Sequence, residues 1–164
     1  MYIYDSETPN SDPQPVYNGW YYYTAGPYGI SLTIGELTFQ TDTANLDFGI
    51  GLSNNPFGAP YDYYGVTSYN NLPLDDLSID RLHWQLEDDF GTAISSTELP
   101  LLPPDLSKWQ GNALSVMGGR YPFPSPDEKT LFGINGHIYS VWLVPEPATL
   151  LLFSLGGLLL RKRR

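Results

Sequence analysis

The sequence predicts an all-β chain: an antiparallel β-sandwich of jelly-roll or Greek-key type, followed by a short apolar C-terminal helix. Three observations carry the prediction. Ahead of Val144, apolar residues recur with period two in short runs, the mark of half-buried strands. Turn formers are abundant, 16 Gly and 15 Pro in 164 residues, and they cluster between those runs. The aromatic content, 13 Tyr, 7 Phe and 4 Trp, suits a pleated surface better than a helix.

The elements follow in order. Residues 1–15 are polar, carry Pro9, Pro13 and Pro15, and read as an irregular lead-in to a domain over residues 16–143. Val16 to Thr24 is a strand with Trp20, Tyr21, Tyr22 and Tyr23 in a row, and residues 25–29 (Ala-Gly-Pro-Tyr-Gly) turn the chain. Ile30, Leu32 and Ile34 then alternate with Ser31 and Thr33. Beyond Gly35 the apolar phase slips by one to Leu37 and Phe39, which predicts a β-bulge. Ala44 to Leu52 reads as the partner strand, with residues 41–43 closing a hairpin. Residues 53–60 are a loop, Tyr61 to Tyr69 a strand and residues 70–78 a second loop. From Asp80 the alternation is cleanest: Leu82, Trp84 and Leu86 face one way, and Arg81, His83, Gln85 and Glu87 the other. Residues 87–91 read as a hairpin turn into a short strand, Thr92 to Ser95. Pro100, Pro103 and Pro104 make the following stretch extended and irregular. Trp109 to Met117, Lys129 to Phe132 and Gly136 to Leu143 are the last strand candidates.

Charge is sharply partitioned. Residues 1–144 hold seventeen acids against Arg81, Lys108, Arg120 and Lys129, a net charge of −13. Binding nucleic acid requires clustered Lys and Arg, so a nucleic-acid partner is excluded for this region. The absence of cysteine removes disulfides, thiolate metal sites and Cys nucleophiles, while a domain of this size can fold without staples.

Catalytic signatures are few, and no enzyme is expected. No Gly-x-Ser-x-Gly elbow is present, and His83 and His137 each sit in a predicted strand among non-ligand types. No cofactor is expected either. Calcium is the one metal worth weighing, because acids crowd Asp75-Asp76 and Glu87-Asp88-Asp89, although neither forms an Asp-x-Asp-x-Asp-Gly loop. The same acids could supply a glycosidase pair only if the fold set their spacing. The aromatic clusters are the other lead. Four consecutive aromatics on a two-faced strand cannot all face the core. Trp20, Tyr21, Tyr22, Tyr23, Tyr61, Tyr63 and Tyr64 are therefore candidates for stacking on sugar rings, against the plainer reading that strands favour aromatics.

The C-terminus has three parts in fixed order. Val144, Pro145, Glu146 and Pro147 come first, held extended by the prolines. A thirteen-residue apolar stretch follows, built on Ala148, Leu150, Leu151, Leu152, Phe153, Leu155, Leu158, Leu159 and Leu160. Arg161, Lys162, Arg163 and Arg164 end the chain and would stay cytoplasmic under the positive-inside rule. A helix of that length spans only ~20 Å, short for a permanent anchor in ~30 Å of hydrocarbon.

This tripartite order resembles the PEP-CTERM sorting signal of Gram-negative bacteria, over residues 144–164. The resemblance implies an exported protein held in the inner membrane by its tail. It further implies processing near the Pro-Glu-Pro segment by an exosortase, a membrane-embedded cysteine transpeptidase, and then a place at the cell surface or outside the cell, often beside extracellular polysaccharide. Proteins of this kind begin with a secretory signal peptide, whereas residues 1–9 supply neither a basic n-region nor an apolar h-region. A fragment or a misplaced start, with the leader encoded upstream of Met1, is the expectation. Tyr63 to Val66, Leu86 to Asp89, Gly91 to Ser96 and the Leu99-Pro100 to Leu106 stretch also resemble segments of sandwich domains ahead of such tails. Those domains imply no particular activity. The expected function is that of a structural or adhesive surface or matrix protein. A carbohydrate-binding module acting on extracellular polysaccharide is the alternative, and a hydrolase using loop carboxylates ranks third.

Overall fold

Alternation, glycine and proline divide the chain into nine strands among the residues described by a computed structural model, 1–119 and 131–141. They are β1 (Tyr2–Ile3), β2 (Asn18–Tyr23), β3 (Gly29–Ile34), β4 (Leu37–Gln40), β5 (Phe48–Asn54), β6 (Asp62–Ser68), β7 (Ser78–Asp88), β8 (Gly111–Gly119) and β9 (Leu131–Gly136). Two 3-10 turns, Pro56–Gly58 and Leu106–Lys108, are the only helical elements among the described residues. The strands form two antiparallel sheets, a small one in the order β1-β3-β4 and a large one in the order β2-β5-β6-β7-β8-β9.

One face of the large sheet is the core. Period two puts Tyr21 and Tyr23 of β2, Phe48, Ile50 and Leu52 of β5, Tyr64 and Val66 of β6, and Leu82, Trp84 and Leu86 of β7 on that side, all buried. Register reinforces it: Ile50 pairs with Val66, Val66 with Trp84, and Trp84 with Leu114. The β3–β4 hairpin closes part of this face with Ile30 and Phe39, and the stretch between β7 and β8 adds Leu99 and Trp109. Burial of each large apolar side chain contributes about 1.5–3 kcal/mol, so the single cluster spanning both sheets dominates stability.

Several expectations need correction. The phase slip at Gly35 is not a bulge but a hairpin: Ile34 pairs with Leu37 across a two-residue turn, with Gly35 at φ 61. Glycine at the first position of such a turn supplies the positive φ it needs. Residues 41–43 do not close a hairpin with the next strand. They carry the chain from the small sheet to the large one, where β5 pairs with β2 and β6. Buried Thr41 fixes that corner: its Oγ1 donates to Ser68 Oγ at 2.9 Å and accepts from Ile30 N at 2.9 Å. Thr92 to Ser95 is not a strand, because the N–H groups of Thr92 and Ile94 bond to carboxylates instead of a ladder. β9 runs straight through residues 133–135, which the sequence pattern places between two strands. Residues 137–141 form no strand, and His137 is exposed on that stretch. The lead-in contributes β1, whose Tyr2 packs on Trp84 with ring centroids 5.8 Å apart. The expected strand residues Lys129, Thr130, Trp142 and Leu143, and the whole C-terminal segment from Val144, lie outside the described residues.

Candidate functional site: the outer face of the large sheet

The face opposite the core is built from the same alternation. On β2 it exposes Trp20 and Tyr22, 39% and 58% accessible. The neighbouring strand meets them with glycine, since Trp20 pairs with Gly51 and Tyr22 with Gly49. A methyl group on Gly51 would lie 2.6 Å from Trp20 Cζ3, so only glycine lets that ring lie down over β5. Gly65, the partner of Gly51 on β6, plays the same part for Tyr63, whose Cε1 would stand 2.7 Å from an added methyl. Trp20 and Tyr22 are nearly parallel, with centroids 6.3 Å apart and an interplanar angle of 13°. The rung Trp20–Gly51–Gly65–Gln85 thus runs across four strands as a ring over glycine, a second glycine under Tyr63, and then an amide.

Beside the rings lies a directional hydrogen-bonded row. His83 Nε2 meets the Gln85 carbonyl at 2.8 Å, which makes Nε2 the donor. Its Nδ1 must then accept from the Thr67 hydroxyl, 2.7 Å away. Gln85 in turn donates to Glu87 Oε1 at 3.3 Å, and Tyr61 donates to the same oxygen at 3.1 Å. Burial lowers the His83 pKa, with the nearby Arg81 charge acting in the same sense, so the ring is held neutral. Burial and then the charge of Glu87 push the phenols of Tyr61 and Tyr63 up to about 12, so both remain donors at any physiological pH.

The seven candidate stacking residues therefore divide. Trp20, Tyr22, Tyr61 and Tyr63 belong to this face. Tyr21, Tyr23 and Tyr64 do not: they are buried, with hydroxyls spent on Thr97 O (2.6 Å), Asp5 O (2.9 Å) and Tyr2 Oη (2.8 Å). Sequence reasoning missed Gly49, Gly51 and Gly65 as the floor, although glycine inside a strand signals close approach. It placed His83 and Gln85 outward without seeing that they join a row.

Of the acids considered for calcium or hydrolysis, Glu87 and Asp88 are engaged by other side chains and backbone N–H groups. Asp75 and Asp76 fill the two-residue turn between Leu74 and Leu77, with Asp75 at φ 54. Asp88 is wholly buried, and burial alone would raise its pKa. Instead, N–H groups of Thr92, Phe90 and Gln110, with the Thr92 hydroxyl, bring it down to about 2. Among the described residues no group of three or more His, Asp or Glu is placed to hold a metal ion. A separate cavity of about 470 Å³ lies between β3 and β8–β9, lined chiefly by Leu32, Ile34, Leu114, Val116, Ile134 and Ile138.

The remaining functional element is the tail. A family profile, the PEP-CTERM protein-sorting motif, matches residues 143–164. No curated protein and no solved structure matches the chain. Two antiparallel sheets followed by that motif define an all-β protein with a C-terminal processing signal. The chain carries a PEP-CTERM protein-sorting motif at its C-terminus, over residues 143–164. The motif is the recognised target of exosortase processing, and it implies export with a membrane-anchored C-terminal signal before processing. Among the described residues no helix is long and apolar enough to cross a membrane.

Proposed function

We propose that this is a surface or matrix component of a Gram-negative cell, released from the inner membrane by exosortase, whose sandwich is an adhesive domain with the outer face of the large sheet as its contact surface. The observation that supports this reading is the exposed pair Trp20 and Tyr22 on the glycine floor of β5. Two large, stacked rings left accessible beside an ordered polar row favour a contact surface. A non-catalytic role is part of the proposal, favoured by the engagement of Asp62 and Asp88 with backbone N–H groups. The Greek-key version of the sandwich is supported by the pairing of β2 with β5, which skips the β3–β4 hairpin, while β5 to β9 follow one another as a meander.

The test is to express the full gene product in a host with and without its exosortase, and to follow both processing and cell-to-cell attachment. Surface recovery and attachment that depend on exosortase support the proposal. Retention of a mature, non-adhesive protein in the membrane overturns it.

A further inference from the structure

We infer that the outer face binds an uncharged polysaccharide with equatorial linkages, laid across β2, β5, β6 and β7. This rests on the adhesive reading and names the partner. The surface is one side of a four-strand stretch of sheet, so it suits a ligand that is itself flat and extended. A pyranose ring with equatorial substituents has that shape: its axial C–H groups form an apolar face, and its hydroxyls project from the rim. Trp20, Tyr22 and Tyr63 supply the apolar side of the contact.

Gln85 and Glu87 supply the rim contacts. Gln85 sits between His83 and Glu87 and uses one amide N–H and one carbonyl lone pair on them, which fixes its plane and leaves a second donor and acceptor. The amide is therefore oriented before any hydroxyl arrives, and little side-chain entropy is lost on binding. Trp20 and Gln85 are separated by three inter-strand spacings, about 14 Å, the length of a short oligosaccharide and not of a single sugar. Charge selects against other polymers. Glu87 ends the row with Arg81 at its other end, and the net −13 of residues 1–144 sets the long-range field, so a polyuronate or a nucleic acid meets repulsion from the domain as a whole.

Native gel electrophoresis of the full chain in mild detergent tests the inference, with hydroxyethylcellulose, dextran or alginate cast in the gel. The expected result is retardation by hydroxyethylcellulose, a neutral β-1,4 chain, and little by the α-linked dextran or the anionic alginate. Trp20→Ala with Tyr63→Ala should weaken it roughly tenfold or more, with an unchanged circular dichroism spectrum. If that pair does not fold, Gln85→Ala alone, at a half-buried outer position, should still weaken it severalfold. Absence of retardation in hydroxyethylcellulose overturns the inference. So does retardation that survives these variants, or that is stronger in alginate. Exosortase-dependent attachment of cells that persists without hydroxyethylcellulose binding leaves the adhesive reading standing and removes only the glycan.

Discussion

Asp62 and Asp88 stand directly opposite each other on β6 and β7, both wholly buried at the edge of the core. Here Asp88 serves the loop after β7, and Asp62 serves both that loop and the connection before β6. Asp88 accepts from Thr92 N at 2.6 Å and Phe90 N at 3.0 Å, while Asp62 accepts from Ile94 N at 2.9 Å and Asn55 N at 3.3 Å. The pair replaces a strand ladder, so a segment without regular pairing still packs Leu99 and Trp109 into the core. Asp88→Ala is expected to leave the sheet intact and expose residues 89–105 to protease. Limited proteolysis followed by mass spectrometry reads this. A variant cut no faster than the parent would show that the clamp is dispensable.

The same carboxylate sets an acid limit. The Asp88 pKa in the fold, about 2, lies below its ordinary value of 3.8. Its stabilising contribution is therefore complete above pH ~4 and lost as pH falls toward ~2. Thermal midpoints of the parent and of Asp88→Asn should differ most at neutral pH and converge across that window. A difference that is constant from pH 5 to pH 2 would contradict the assignment.

His83 sets a second window, in the opposite chemical sense. Burial favours its neutral form, so its folded pKa lies below the ordinary 6.5. The stability tied to that neutral ring is present above pH ~6.5 and is lost as pH falls through the lower folded value. Protonation would put a donor on Nδ1 and oblige the Thr67 hydroxyl to turn from donor to acceptor, reversing the row at its start. NMR titration of His83 should give a pKa below 6.5, and His83→Gln should flatten the thermal midpoint across the same interval. A His83 pKa at or above 6.5 would refute the neutral tautomer.

Trp84 anchors the core. Its indole packs against Tyr2 and Tyr64, with centroids 5.8 Å away in each case, and its Nε1 donates to Asn112 Oδ1 at 3.1 Å. Trp84→Ala should cost about 3–5 kcal/mol, because it opens a cavity and strips Tyr2 and Tyr64 of the ring they pack on. Urea unfolding with an unchanged m-value would measure it. A cost under about 1 kcal/mol would place the ring outside the packed cluster.

What the sequence revealed follows from which signals are local. Leu82, Trp84 and Leu86 were legible because burial on one face writes itself into every second residue of a single strand. The split of Trp20 and Tyr22 from Tyr21 and Tyr23 was implied by the same rule, though which pair faced out was not. The corner at Thr41 was not legible. A chain that reverses and a chain that crosses to the other sheet carry the same turn residues, and only the partner of β5 distinguishes them. The floor under the rings depends on register across three strands, so Gly51 and Gly65 meet only once the sheet exists. Thr92 to Ser95 misled because its β propensity is real while its N–H groups are taken by distant carboxylates.

The last prediction concerns the sorting signal. Pro145 and Pro147 flank Glu146 in the sequence, and prolines so placed disfavour helix, so the expectation is an extended segment of the kind a transpeptidase can grip. On the proposed reading the apolar stretch would hold that segment at the membrane surface, with Arg161 to Arg164 on the cytoplasmic side. Replacing Pro145, Glu146 and Pro147 by alanine is therefore expected to leave any membrane partition intact, because Ala148 to Leu160 and the basic cluster are untouched, while removing the recognised element. The expected outcome in an exosortase-containing host is accumulation of the full-length, membrane-bound form and loss of the shortened, released one. Mass spectrometry of the mature C-terminus distinguishes the two. Release of the triple variant at the parental rate would mean that the motif at residues 143–164 does not direct processing in this chain, and that the apolar stretch acts as an anchor only.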